Sequence, residues 1–92
     1  MTGLEWTSKA LSDLVRLHDF LASVNPAAAA RTVQALAAAP DTLLAHPRLG
    51  ERVEGFDPRE VRRLIVGKYE MRYEIRDGTV YILRLWHTRE AR

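Results

Sequence analysis

Ninety-two residues, 47% apolar and 28% charged, provide for one modest core and leave no room for a separate cofactor domain or for a disordered chain. The absence of cysteine removes disulfide scaffolds, thiol catalysis and sulfur-rich zinc sites. The net charge of +2 is unevenly spread: residues 1–50 carry four basic and four acidic side chains, but from Arg59 onward the count is nine against five.

The start, Met1 to Trp6, has neither a basic n-region nor an apolar h-region, and no apolar run reaches the roughly 18–20 residues that span a bilayer. The expectation is one cytoplasmic domain over residues 1–92 with no membrane contact. Leu4-Glu5-Trp6 reads as a short edge strand. Thr7 is a natural N-cap, with Ser8 as a second candidate. Ala10, Leu11, Leu14, Leu17, His18 and Leu21 then recur at three- and four-residue steps, predicting an amphipathic helix of about five turns. Asn25-Pro26 stops it and opens a second helix, Ala-rich from Ala27 to Ala39, whose small side chains allow a close neighbour. Pro40 ends that helix. A further short turn through Leu43 and Leu44 stops before His46-Pro47, completing an antiparallel helical hairpin.

Pro47 to Gly50 is a turn, and residues 51–60 form an irregular polar connector. The apolar period then changes from 3.6 to 2. Val61–Val66 is one strand, and Gly67-Lys68 has glycine first, as a type II′ hairpin requires. Tyr69, Met71, Tyr73 and Ile75 alternate with Glu70, Arg72, Glu74 and Arg76. Asp77-Gly78 is the strongest hairpin signal in the chain. Thr79 to His87 is apolar on both faces, which marks a central strand. The result is an α+β fold in the order β-α-α-β-β-β, a helical hairpin packed on one face of a three-stranded antiparallel meander.

Chemistry-bearing residues are few. His18 lies on the apolar stripe of the first helix and His46 near a helix end, so His87, at the exit of the last strand, is the one histidine placed where a site could form. The histidines share no metal-ligand spacing, no nucleophile elbow or Gly-rich phosphate loop is present, and no metal or cofactor is expected. Glu70 and Glu74 read as a solvated face of cross-strand ion pairs with Arg72 and Arg76. What remains is basic: Arg62, Arg63, Lys68, Arg72 and Arg84 on the meander, with Trp86, Arg89 and Arg92 near its end. Arg84 interrupts an apolar run on the side of Ile82 and Trp86. A charge there needs a partner, so two readings stand. One is a salt bridge to Glu70 or Glu74. The other is an arginine-lined groove on the helix-free face for an acidic partner or nucleic acid.

The ordered set Trp6-Thr7…Ala10…Asp13-Leu14, Leu44…His46-Pro47-Arg48-Leu49-Gly50, Arg62-Arg63-Leu64…Gly67-Lys68-Tyr69-Glu70-Met71-Arg72-Tyr73 and Ile82-Leu83-Arg84-Leu85-Trp86-His87-Thr88-Arg89 resembles the RelE/ParE superfamily of toxins from type II toxin–antitoxin pairs. The resemblance covers nearly the whole chain. It implies the same fold, a cognate ParD-like antitoxin in a hetero-oligomer, and an added strand at an edge such as Leu4–Trp6 or Val61–Val66. The ParE branch implies a poison of DNA gyrase that traps cleaved DNA without hydrolytic chemistry. The RelE branch implies a ribosome-dependent mRNA endonuclease, in which His87, Arg63, Arg84 and Arg89 would be catalytic. Glu70 after Tyr69, the lack of a tyrosine beyond Tyr81 and the Trp-His-x-Arg ending favour the ParE branch. An inactive member that only binds its antitoxin is the third reading. In the favoured reading no residue is catalytic, and Arg62, Arg63, Lys68, Arg72, Arg84, Trp86, His87 and Arg89 form the target- or antitoxin-binding set.

Overall fold

The computed structural model describes residues 3–90; Arg92, counted above with the basic set, lies outside them. Eight elements follow one another: β1 (Gly3–Trp6), α1 (Ser8–Ala22), α2 (Pro26–Ala38), α3 (Asp41–Ala45), β2 (Glu51–Arg52), β3 (Glu60–Val66), β4 (Tyr69–Arg76) and β5 (Thr79–His87). The strands form one mixed sheet in the order β1-β5-β4-β3-β2, with β1 parallel to β5 and the other pairs antiparallel. This is the expected α+β class. No helix among the described residues is long and apolar enough to cross a membrane.

Local chemistry sets the boundaries. The Thr7 hydroxyl accepts from Ala10 N–H and starts α1, and the Asn25 side chain accepts from Ala28 N–H with Pro26 next, starting α2. At 15 residues, α1 makes about four turns rather than five, because Asn25 is already extended, with φ −152° and ψ 96°, as the N-cap of α2. Gly67 has φ +60°, as the first central residue of a II′ turn requires. Asp77 and Gly78 both have positive φ, 51° and 77°, the backbone of a type I′ turn.

The helices cover one face of the sheet. Ala10 and Leu17 of α1, Leu36 of α2 and Leu43 of α3 pack on Met71, Tyr73, Val80, Ile82 and Leu85, all buried. The Tyr73 hydroxyl donates to the Pro47 carbonyl at 2.7 Å and accepts from Gly50 N–H at 2.9 Å, pinning the turn before β2. Gly50 has to be glycine there, since a Cβ would meet the Arg63 carbonyl oxygen at 2.4 Å.

Two expectations need correction. Residues 51–60 are not wholly irregular: β2 pairs Glu51 and Arg52 with Arg63 and Arg62, and Val53 N–H bonds to the Val61 carbonyl. The proposed strand-accepting edge at Val61–Val66 is therefore already covered along its first half, whereas β1 does form the opposite edge. The alternation of β5 also breaks. Arg72 faces Arg84 across the ladder but Tyr73 faces Ile82, so Leu83 is an extra residue, a β-bulge. Before it Val80 and Ile82 face the core; after it Leu85 does. Arg84 thus shares its face with Trp86 as expected, but not with Ile82.

Candidate functional site

The helix-free face of the sheet is a closed layer, not an open arginine groove. Phe56 of the connector folds toward it. The Arg72 guanidinium carbon lies 4.8 Å from the Trp86 ring centre and 6.0 Å from that of Phe56, with Arg59 5.8 Å from Phe56. Glu70 and Glu74 are 2% and 4% exposed, so their reading as a solvated face fails. Arg72 donates to Glu70 at 2.9 Å, and Arg59 grips Glu74 through two bonds of 2.9 and 3.1 Å. Those bonds hold the Glu74 carboxyl below its ordinary range, against the opposing effect of burial.

The other arginines of the expected set are held similarly. Arg62 donates to Glu60 and to the Gly50 carbonyl, both at 2.8 Å, and Arg63 donates to Glu51 at 2.9 Å. Arg84 does have a carboxylate partner, but neither Glu70 nor Glu74. Its guanidinium donates twice to Asp13, at 2.7 and 3.2 Å, and lies 5.2 Å from the Trp86 ring centre.

Asp13 is the residue that sequence reasoning missed. It is 5% exposed and sits one helical turn from Ala10 and Leu17, inside the apolar stripe of α1, which is the signal that could have found it. Its carboxylate also accepts Leu85 N–H at 2.9 Å. Because β1 ends at Trp6, β5 would have a bare edge from Leu83 onward. Side chains close it instead: the Thr7 hydroxyl lies 3.2 Å from the Leu83 carbonyl, Asp13 takes Leu85 N–H, Arg16 donates to the Leu85 carbonyl, and Glu90 takes His87 N–H. Burial pushes the Asp13 carboxyl up, but the bonds from Arg84, Leu85 N–H and Arg16 outweigh it and leave the group below its ordinary value.

At the far end of the sheet the electrostatics differ. Beside the Gly67-Lys68 turn and the exit of β5 a cleft of about 650 Å³ opens between α1 and the strands, lined by Leu17, Phe20, Tyr69, His87, Lys68 and Arg89 among others. A smaller cleft of about 310 Å³ lies on the α2 side, and Lys68 and Tyr69 line both. Tyr69 and His87 meet edge to face at 5.3 Å. Arg89 N–H donates to His87 Nδ1 at 3.1 Å, so the neutral ring carries its proton on Nε2. Glu90 bridges His87 N–H, at 2.7 Å, and Arg16, at 2.6 Å, tying the chain after β5 onto α1.

The expected site residues therefore fall into two groups. Arg62, Arg63, Arg72 and Arg84 are neutralised by carboxylates, and Trp86 is buried beside two of them. Lys68, His87 and Arg89 come together at the cleft. Neither Lys68 nor Arg89 has a carboxylate partner among the described residues. No group of acidic and histidine side chains that could hold a metal occurs among the described residues.

Comparison with known proteins agrees with this architecture. Residues 4–92 match the family described as the ParE toxin of the type II toxin–antitoxin system parDE. A protein of Caulobacter vibrioides named Toxin RelE2 is 36% identical over 87 residues, spanning 95% of this chain and 96% of its own. The solved chromosomal ParDE toxin–antitoxin system of P. aeruginosa superposes with a TM-score of 0.81 at 25% identity, over 95% of this chain and 96% of that one. The archaeal RelE–RelB complex of Pyrococcus horikoshii superposes with a TM-score of 0.64 at 20% identity, over 99% and 100%, a likeness of fold.

Proposed function

The chain belongs to the ParE toxin family of type II toxin–antitoxin systems, and on that footing we propose that it is a poison of DNA gyrase, one that stabilises cleaved DNA and is neutralised in the cytoplasm by a ParD-like antitoxin. The observation that carries the choice of target is the pairing of the strand arginines. A nuclease needs cations free to stabilise a pentavalent phosphate and a base free to take a proton. Here Arg63 and Arg84 are each engaged by a carboxylate, and a buried Glu70 sits beside Arg72. A binding toxin requires no such vacancy. The antitoxin reading draws on the solved relatives, which are toxin–antitoxin complexes, and on apolar side chains left exposed on α1: Leu11 at 48% and Val15 at 60%.

One observation favours the second reading, ribosome-dependent mRNA cleavage. His87 lines a cleft together with Lys68 and Arg89, and an imidazole beside cations can serve as an acid–base unit. Incubation of the toxin with gyrase, supercoiled plasmid and ATP, followed by protease and detergent, separates the two. The gyrase reading expects dose-dependent linear DNA, lowered much less by His87→Ala than a nuclease rate would be. A clean negative with folded toxin and active gyrase, together with message cleavage on ribosomes that His87→Ala abolishes, would replace it with the second.

A further inference from the structure

Arg31, Lys68 and Arg89 have no carboxylate partner among the described residues, although most other arginines of the chain do. Arg89 lines the larger cleft, Arg31 the smaller, and Lys68, with Tyr69, lines both. Arg16 and Glu90 also line the larger cleft but are bonded to each other, which leaves the other cations as its unpaired charge. The same end displays aromatic faces. Phe20 is 70% exposed on the cleft side of α1, opposite the edge-to-face Tyr69–His87 pair. Exposed rings next to unpaired cations are the combination that holds an unpaired nucleic-acid strand, with cations following the phosphates and rings stacking on bases. An acidic peptide would use the cations but meets the rings only where its own sequence carries an aromatic side chain, whereas every nucleotide carries a base. A closed duplex would present phosphates but keep its bases stacked.

We propose that the two clefts form a groove for single-stranded DNA, with Arg31, Lys68 and Arg89 on the phosphates and Phe20 and Tyr69 as stacking surfaces. The proposal rests on the gyrase reading only for its setting: a toxin that keeps a duplex broken would touch the exposed strand as well as the enzyme.

The test needs no gyrase. Binding of the intact toxin to a short labelled oligothymidylate, followed by fluorescence anisotropy over a salt series, reads both contributions. Three phosphate contacts on a single strand predict a slope of log K against log salt of about −2. Lys68→Glu or Arg89→Glu should weaken binding about tenfold or more and flatten the slope by about 0.7 or more. Phe20→Leu, which keeps apolar volume but removes the ring, should weaken binding about tenfold and leave the slope unchanged. Lys9→Glu makes the same charge change away from both clefts and should leave binding as it is.

Absence of binding, equal capture of polyglutamate, equal affinity for a blunt duplex, or indifference to Phe20→Leu would each overturn the groove. Trapped linear DNA from gyrase without oligonucleotide binding removes the groove and leaves the gyrase reading intact; oligonucleotide binding without trapped DNA does the reverse.

Discussion

The helix-free face of the sheet and the end of the sheet beside Lys68 are both rich in cations, and they are built on opposite principles. On the face, most arginines are neutralised by carboxylates. Arg59, Arg63, Arg72 and Arg84 each meet a carboxylate, and Arg76 lies 4.4 Å from the Tyr81 ring centre. At the end, Lys68 and Arg89 meet none. A count of basic residues therefore says little about where a partner binds. What matters is which charges the fold has already answered.

The comparison breaks first at Asp13. If the face is a structural layer, Asp13→Ala should cost about 2–3 kcal/mol, because it strands the buried Leu85 N–H and removes the carboxylate that Arg84 and Arg16 share. A urea midpoint that falls at unchanged m-value is the expected reading. A loss below about 1 kcal/mol would mean that the edge of β5 closes in another way. Arg84→Ala should cost less, about 1–2 kcal/mol, since Asp13 keeps Leu85 N–H and Arg16 and Arg84 is already 39% exposed.

Acid titration sharpens the same point. Asp13, Glu60 and Glu74 have folded-state pKa values below their ordinary 3.8 and 4.5. For a depressed carboxyl the stabilisation is fully present above the unfolded value and is lost as pH falls through the folded one. Melting temperature should thus be flat above about pH 5 and decline from about pH 4.5 downward. Asp13→Asn, which can keep an acceptor for Leu85 N–H but carries no charge, should start lower and decline less steeply. The smallest effect belongs to the sheet end. Arg89→Glu and Lys68→Glu should change stability by no more than about 0.5 kcal/mol while impairing DNA trapping by gyrase. Loss of fold in either variant would place the end with the face.

Most of the fold was legible because its signals are local. Thr7, Asn25-Pro26, Gly67-Lys68 and Asp77-Gly78 each act through backbone geometry within a few residues, and each stands where the sequence placed it. The misreadings share a different origin. β2 is two residues long and carries no periodicity. The bulge at Leu83 shifts the phase of an otherwise apolar strand, so strict alternation put Arg84 beside Ile82. Glu70 and Glu74 alternate with arginines as solvated ion pairs do, yet both are buried, Glu70 across from Trp86 and Glu74 under Arg59 from the connector. Lys68, His87 and Arg89 were among the expected site residues. Phe20 was not, because an exposed phenylalanine on a helix looks no different in sequence from a buried one.

The parallel pairing of β1 with β5 joins the first strand to the last, Gly3 to Thr79, and sets β5 inside the sheet. Synthesis runs from β1 to β5, so every element between them must be delivered before these two strands pair, and before Asp13 finds Arg84. Contacts this distant along the chain form late. A nascent chain of this fold therefore holds an incomplete sheet, with β1 unpaired, until β5 has emerged.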